Sequence, residues 1–231
     1  MSAKNEWLNI SISAALSWLM KLIMIGMLPY VVYNGSYLFA IAITVAIVLS
    51  LLPSIVERSY HVTLPFELDL LITSITFLHT FFGEWLKFYD RVWLWDKALH
   101  IYGTGVVAML AFMIVYTLHY TKKIRLTLPL VGLFTITFAV AVGGLWEIGE
   151  FVVDKIFNID TQNGLDNTMW DLINDFVGGA FVAIMGILYI KYSKPHERKR
   201  LTKPIGEIFG IKKRIDRMKV RIHAKRNPAH K

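Results

Sequence analysis

Residues 127–150 read TLPLVGLFTITFAVAVGGLWEIGE. From Leu126 to Trp146 the chain runs for 21 residues without a charged side chain. A helix needs about 20 mostly apolar residues to cross the hydrocarbon layer of a bilayer. This stretch therefore predicts a transmembrane helix, and its C-terminal end carries two acids, Glu147 and Glu150.

Similar apolar stretches lie on both sides of it. The predicted spans cover approximately residues 8–28, 36–52, 66–83, 97–118, 127–149 and 170–190. Of all residues, 55% are hydrophobic and 18% are charged, whereas a soluble domain carries about 25% charge. The chain has no cysteine, which excludes disulfide scaffolds and thiolate sites. The sequence predicts an all-α polytopic membrane protein with about six transmembrane helices in residues 1–190.

The charge is divided unevenly along the chain. Residues 191–231 carry a net charge of +12, whereas residues 1–190 carry −4. Apolar residues recur every three or four positions in this basic tail, at Ile208, Ile211, Ile215, Met218 and Ile222. This pattern predicts a basic amphipathic helix that lies on an anionic membrane surface. The alternative is a solvated basic tail whose charge only fixes the orientation of the chain in the membrane. Nucleic-acid binding is not predicted, because no binding motif accompanies the charge.

The loops predict the orientation of the spans. The loop at 119–126 contains Lys122, Lys123 and Arg125, whereas the loop at 150–169 carries four acids against one lysine. Basic loops stay in the cytoplasm. We therefore expect both termini to be cytoplasmic and the acidic loop to lie outside.

Ionisable residues gather at the predicted outer ends of three spans. They form pairs three or four residues apart, which places each pair on one helix face: Asp96 with His100, Glu147 with Glu150, and Asp171 with Asp175. His79 is placed to join them from the third span. Glycines beside the pairs predict close helix packing. The alternative is that these acids cap helix ends and meet water.

Five carboxylates and one imidazole form an oxygen-rich set that suits a divalent metal ion such as Mg²⁺, Mn²⁺ or Zn²⁺. The predicted metal ligands are Asp96, His100, Glu147, Glu150, Asp171 and Asp175. The predicted catalytic residues are His100 as base or ligand, with Glu147, Asp171 and Asp175 holding the metal or sharing protons. Such a set suits acid–base or metal-assisted chemistry on a phosphate-containing headgroup.

Three motifs carry a resemblance to known families. They are Trp95-Asp96-Lys97-Ala98-Leu99-His100, Trp146-Glu147-Ile148-Gly149-Glu150 and Asp166-Asn167-Thr168-Met169-Trp170-Asp171. In the same order and over roughly residues 79–179, the chain resembles the YjdF-like family of bacterial membrane proteins. It is also similar to VanZ-like proteins, which share the pattern D-K-x-x-H, E-x-x-Q and D-x-x-x-N-x-x-G. In this chain Glu150 replaces the glutamine and Asp175 replaces the asparagine of that pattern.

These resemblances imply a location in the bacterial cytoplasmic membrane, and the VanZ-like one implies an enzyme acting on lipid or envelope-precursor headgroups. Whether the chain is an enzyme stays open at this point. The alternatives are a cation- or proton-coupled transporter and a non-catalytic envelope scaffold protein. The expected partners are membrane lipids and a lipid-linked substrate, and the sequence does not define an oligomeric state.

Overall fold

A computed structural model describes residues 3–210, with side chains for residues 12–210 apart from Phe66. This part of the chain is helical and contains no strand. Its α-helices are α1 (Ala3–Tyr33), α2 (Tyr37–Tyr60), α3 (Leu68–Phe77), α4 (Phe88–Arg91), α5 (Trp95–Tyr120), α6 (Leu128–Phe157), α7 (Leu165–Tyr192) and α8 (Pro195–Ile208). The predicted all-α class is confirmed.

Five of the helices are long and apolar enough to cross a membrane. These are Ile12–Tyr33 of α1 and the whole of α2, α5, α6 and α7, with lengths from 22 to 30 residues. Large apolar side chains cover their outer faces, and on α6 Leu133, Phe134 and Phe138 are each more than half exposed. In water such a surface would be unfavourable, whereas lipid tails accommodate it. The chain is therefore a polytopic membrane protein.

The third predicted span, residues 66–83, has a different form from the other five. It begins with a 3₁₀ turn at Pro65–Glu67, continues as α3, and widens into a π-helical segment at Leu78–Trp85. The backbone N–H of Leu86 bonds to the carbonyl of Phe81, five residues earlier, which closes this wide turn. The wider turn accompanies close aromatic packing, because the Tyr89 ring lies directly against Gly83. The two segments together hold 18 residues, and α3 alone is too short to span.

The helix boundaries differ from the prediction around the acidic loop. Helix α6 continues to Phe157 and α7 begins at Leu165, so the connection covers only 158–164. Glu147, Glu150 and Asp171 were predicted at helix ends, but they lie about two turns or more inside their helices. The predicted spans covered only the apolar parts of the helices. The helices themselves are longer, because their polar first and last turns continue the same backbone hydrogen bonding.

The five long helices and the shorter α3 pack as two groups of three. In one group α1, α2 and α3 share an apolar core that includes Met24, Ile43 and Phe77. In the other group α5 packs against α6 and α7. Helix α3 joins the groups by packing on α5, where the Ser74 and Tyr102 hydroxyls are 2.6 Å apart.

The start of the basic tail is a packed helix. Leu201 and Ile205 of α8 are buried with Met113 and Tyr116 of α5 in one apolar cluster. Of the predicted amphipathic stripe only Ile208 falls in α8, and the remaining four positions, from Ile211 to Ile222, lie outside the described residues. The division of the chain at residue 190 stays a prediction.

Candidate functional site

Close contacts between α5, α6 and α7 bring the ionisable residues together. Gly143 of α6 lies so near Asp175 of α7 that an added Cβ would overlap its carboxylate. Gly178 of α7 has no room for a Cβ either, because the backbone carbonyl of Ile101 on α5 occupies that space. Small residues allow membrane helices to approach in this way. The glycines therefore set the spacing of the three helices at the level of the acids.

His100 lies at the centre of the cluster. Its Nδ1 is 3.0 Å from Oδ1 of Asp175, and its Nε2 lies 3.6 Å from Oε1 of Glu147 and 3.7 Å from Oδ1 of Asp96. An ionised carboxylate can only accept a hydrogen bond, so Nδ1 carries the proton in the contact with Asp175. Nε2 faces the other two acids, and a neutral ring would present its lone pair there.

Asn167 connects two of the acids. Its side-chain Nδ2 donates to Oδ2 of Asp96 at 2.9 Å and also to Oδ2 of Asp171. The residue precedes Asp171 by four positions on α7 and therefore lies on the same helix face. It was not among the predicted site residues, although its spacing from Asp171 is a signal that could have identified it.

Several acids in the cluster are buried without enough hydrogen-bond donors. Glu147, Asp171 and Asp175 are 4%, 1% and 0% exposed. Among the described residues, no hydrogen bond of normal length is made to either oxygen of Glu147, to Oδ1 of Asp171 or to Oδ2 of Asp175. A buried polar group without a partner costs about 1–3 kcal/mol, and a charged one costs more. The arrangement therefore suits a positively charged ligand.

Three of the predicted metal ligands form a compact group. One ligand atom from each of Asp96, His100 and Asp171 lies within 4.8 Å of the others. Ligand atoms bound to one Mg²⁺ or Zn²⁺ ion lie about 3–4 Å apart, so these three groups would have to move inward to bind the same ion. Glu147 and Asp175 contact His100 directly. Glu150 is the exception, because its carboxylate accepts a hydrogen bond from the indole of Trp146 at 2.9 Å.

Aromatic residues surround one side of the cluster. His79 of the π-helical segment contacts the Tyr89 hydroxyl at 2.6 Å through Nδ1, and its ring packs edge-on against Trp146. Burial, followed by the nearby carboxylate of Asp96, raises the pKa of the Tyr89 hydroxyl well above its usual range. Tyr89 thus stays neutral and can donate to His79, which holds this histidine beside the cluster.

A second polar cluster lies between α1, α2 and α3. Lys21 is fully buried, and its Nζ lies 2.9 Å and 3.1 Å from the two carboxylate oxygens of Asp69. Ser17 and Ser54 also donate to Asp69, and Ser17 contacts Thr73 at 3.0 Å. Each charged group therefore has an opposite charge or a donor beside it.

Comparisons with known proteins agree with this architecture. Residues 15–192 match the family model described as "Predicted membrane protein (DUF2238)", which is consistent with the YjdF-like resemblance. A Thermotoga maritima protein described as "Uncharacterized protein" is 40% identical over 129 residues, which is 54% of this chain. The chain spans 65% of that relative's length. No solved structure matches. Because the family model covers most of the chain, the chain belongs to the DUF2238 family of membrane proteins.

Proposed function

We propose that this protein is a membrane-embedded, metal-dependent enzyme that acts on the phosphate-containing headgroup of a lipid or lipid-linked envelope precursor. The cluster around His100 would be its active site. By the distribution of basic loops, the site would face the outer side of a bacterial cytoplasmic membrane, with both termini inside.

The contact between Asp175 and His100 carries this proposal. A histidine that binds a metal usually donates its other ring N–H to a carboxylate, which fixes the ring and makes it a better ligand. Asp175 accepts from Nδ1 in this way, so Nε2 would be the metal ligand. Asp96 and Asp171 would bind the same ion, and Asn167 would hold both carboxylates in place. One nitrogen and several oxygens suit Mg²⁺, Mn²⁺ or Zn²⁺.

Glu147 is the best candidate for a general base. It is buried and lies 3.6 Å from His100, and neither of its oxygens accepts a hydrogen bond of normal length from the described side chains. A metal ion lowers the pKa of a bound water, and a neighbouring carboxylate can accept the proton that the water loses. Glu147 would take that proton, and Glu150 would stay outside the ligand set.

The surroundings of the cluster suit a substrate that resides in the membrane. Large apolar side chains near the starts of α5 and α7 are exposed, including Trp93, Leu94, Met169 and Trp170. Asp96 is the most exposed of the four acids around His100, at 24%. The headgroup of a lipid would approach the metal past Asp96, while the apolar tail of the lipid remained beside the exposed apolar side chains.

The resemblance to VanZ-like proteins also supports an envelope substrate, and it remains a prediction from the motifs. The cation- or proton-coupled transporter receives less support. A transporter would need a second ionisable site along its path, and the acid of the other polar cluster, Asp69, is already paired with the buried Lys21. A scaffold role would require that the acid cluster only stabilise helix packing, which the unpartnered carboxylate oxygens disfavour.

Metal content of the detergent-purified protein tests the proposal most directly. We expect about one divalent ion per wild-type chain by mass spectrometry, and little metal in the Asp171→Asn variant. Asp166→Asn is the matched control, because Asp166 is an exposed acid on the same helix and its loss removes the same charge. The purified wild type should then release headgroups from vesicles of phosphatidylethanolamine and phosphatidylglycerol, and Glu147→Gln should bind metal without this activity.

Two outcomes would contradict the proposal. Wild-type protein that retains no Mg²⁺, Mn²⁺ or Zn²⁺ after equilibration with these ions would exclude the metal site. Equal metal loss in Asp171→Asn and Asp166→Asn would show that the ions bind only to surface charge.

A further inference from the structure

A cavity lies at the opposite end of α5 from the acid cluster. It is partly open to its surroundings, has a volume of about 520 Å³ and is bordered by the last turn of α5, the connection to α6, and parts of α7 and α8. Pockets for small molecules typically measure about 300–1,000 Å³. His119 at this end follows His100 by 19 residues, which corresponds to about 28 Å along the helix.

The charged part of the cavity lining is basic. Lys122, Arg125 and Arg198 line the cavity together with His119, and no acidic residue is among its described lining residues. Arg198 is held in place because its Nε and Nη2 groups donate to the backbone carbonyl of Ser193. These bonds use two of the five guanidinium N–H donors, so the group is fixed and retains donors for an anion.

His119 adds a further donor. The backbone N–H of Leu126 donates to its Nδ1 at 3.2 Å. In the neutral imidazole the proton must then reside on Nε2, which makes that nitrogen a donor. Glu197, an acid in the first turn of α8, does not line the cavity. It accepts a hydrogen bond from the backbone N–H of Lys194.

Much of the remaining lining of the cavity is apolar. Ile124, Leu128 and Ile190 form this part. Leu128 begins α6 and Ile190 lies near the end of α7, so both are at ends of membrane-crossing helices. A free phosphate ion would gain nothing from this wall, whereas the first carbons of an acyl chain would.

We propose that this cavity binds the phosphate headgroup of an anionic phospholipid. The phosphate would contact Arg125, Lys122 and Arg198, and the glycerol and upper acyl chains would lie along Ile124, Leu128 and Ile190. Basic pockets between transmembrane helices are suited to such headgroups, and arginine matches phosphate oxygens with two parallel hydrogen bonds. The site is distinct from the acid cluster and does not depend on the proposed enzyme function.

Binding of short-chain phosphatidylglycerol to the detergent-purified full chain tests the proposal, with affinity measured by isothermal titration calorimetry. Arg125→Gln should weaken binding about tenfold, the effect of losing one strong charge-assisted contact. Lys123→Gln is the matched control. Lys123 is exposed in the same loop and does not line the cavity, so its replacement should change the affinity less than twofold.

Short-chain phosphatidylcholine and inorganic phosphate complete the experiment. We expect phosphatidylcholine, which has no net charge, to bind at least tenfold more weakly than phosphatidylglycerol. Equal binding of the two lipids, or equal losses in Arg125→Gln and Lys123→Gln, would overturn the proposal. Inorganic phosphate binding as tightly as phosphatidylglycerol would also overturn it, because the site would then serve a soluble anion. Circular dichroism of each variant verifies the fold.

Discussion

The two buried polar clusters of this molecule differ in how completely their charges are compensated. Between α1, α2 and α3 one carboxylate, Asp69, faces the Lys21 ammonium and two hydroxyl donors. Between α5, α6 and α7 four carboxylates surround a single imidazole, and four of their oxygens accept no hydrogen bond of normal length from the described residues. Each cluster lies between three packed helices.

The difference separates a polar group that stabilises the fold from one that is suited to a ligand. A buried ion pair with all its hydrogen bonds made has no capacity left for another partner. A cluster with excess negative charge and unpartnered oxygens is unfavourable until a cation or proton enters. Ionisable residues within membrane segments therefore cannot be interpreted from their presence alone.

Replacing Lys21 with Met should have the largest effect on stability. The variant would leave Asp69, which is 23% exposed, with only hydroxyl donors. Removing one partner of a fully buried ion pair costs about 3–5 kcal/mol, and we expect a loss of up to that size. Thermal unfolding in detergent, followed by circular dichroism, measures the loss. Lys155→Met removes an exposed lysine and should change stability by less than about 0.5 kcal/mol. If both variants unfold at the wild-type temperature, the pair contributes nothing and the comparison fails.

Gly143→Ala should have an intermediate effect that is specific to the acid cluster. The new methyl group would overlap the Asp175 carboxylate, so α6 and α7 would have to separate, at a cost of about 1–3 kcal/mol. Gly149→Ala on the same helix meets no atom within 4 Å. It should stabilise α6 by about 0.5–1 kcal/mol through the better helix propensity of alanine. Equal unfolding temperatures for the two variants would contradict the close helix contact.

Replacing one acid in each cluster by asparagine should give the smallest changes in stability, and the two changes should have opposite signs. In the presence of a chelator, Asp171→Asn should stabilise the protein by on the order of 1 kcal/mol, because it reduces repulsion between neighbouring carboxylates. Asp69→Asn should destabilise it, because Lys21 would lose its counter-charge. Thermal unfolding of both variants in EDTA measures the two signs. Destabilisation by Asp171→Asn in EDTA would mean that Asp171 is a structural acid like Asp69.

Most of the fold was accessible from the sequence, because apolar stretches such as 127–149 have no stable alternative to a membrane helix. The third span was harder to predict. Its change to a π-helix accompanies packing of the Tyr89 ring against Gly83. Hydropathy does not encode such a tertiary contact. The docking of α8 was missed because the charge of the tail obscured its two buried apolar residues, Leu201 and Ile205.

The candidate site was predictable to a lesser extent. Spacings of three and four residues identified Asp96, His100, Glu147, Asp171 and Asp175, which the structure brings together. The same rule cannot tell which partner a side chain contacts, and for Glu150 that partner is Trp146. Asn167 was not predicted, because it is uncharged and only the ionisable residues defined the cluster in the sequence. The roles of all these residues in catalysis and metal binding remain predictions.

The short α3 and π-helical segment has a consequence for the surrounding bilayer. At the α-helical rise its 18 residues would extend about 27 Å. The wider π-helical turns rise less per residue, so the segment is shorter than the roughly 30 Å of a typical hydrocarbon layer. Lipids next to such a segment adjust by local thinning of the bilayer, at a modest cost per ångström. Because α3 packs on α5, we expect this thinning beside the acid cluster, where it would shorten the distance that a headgroup must descend to reach His100.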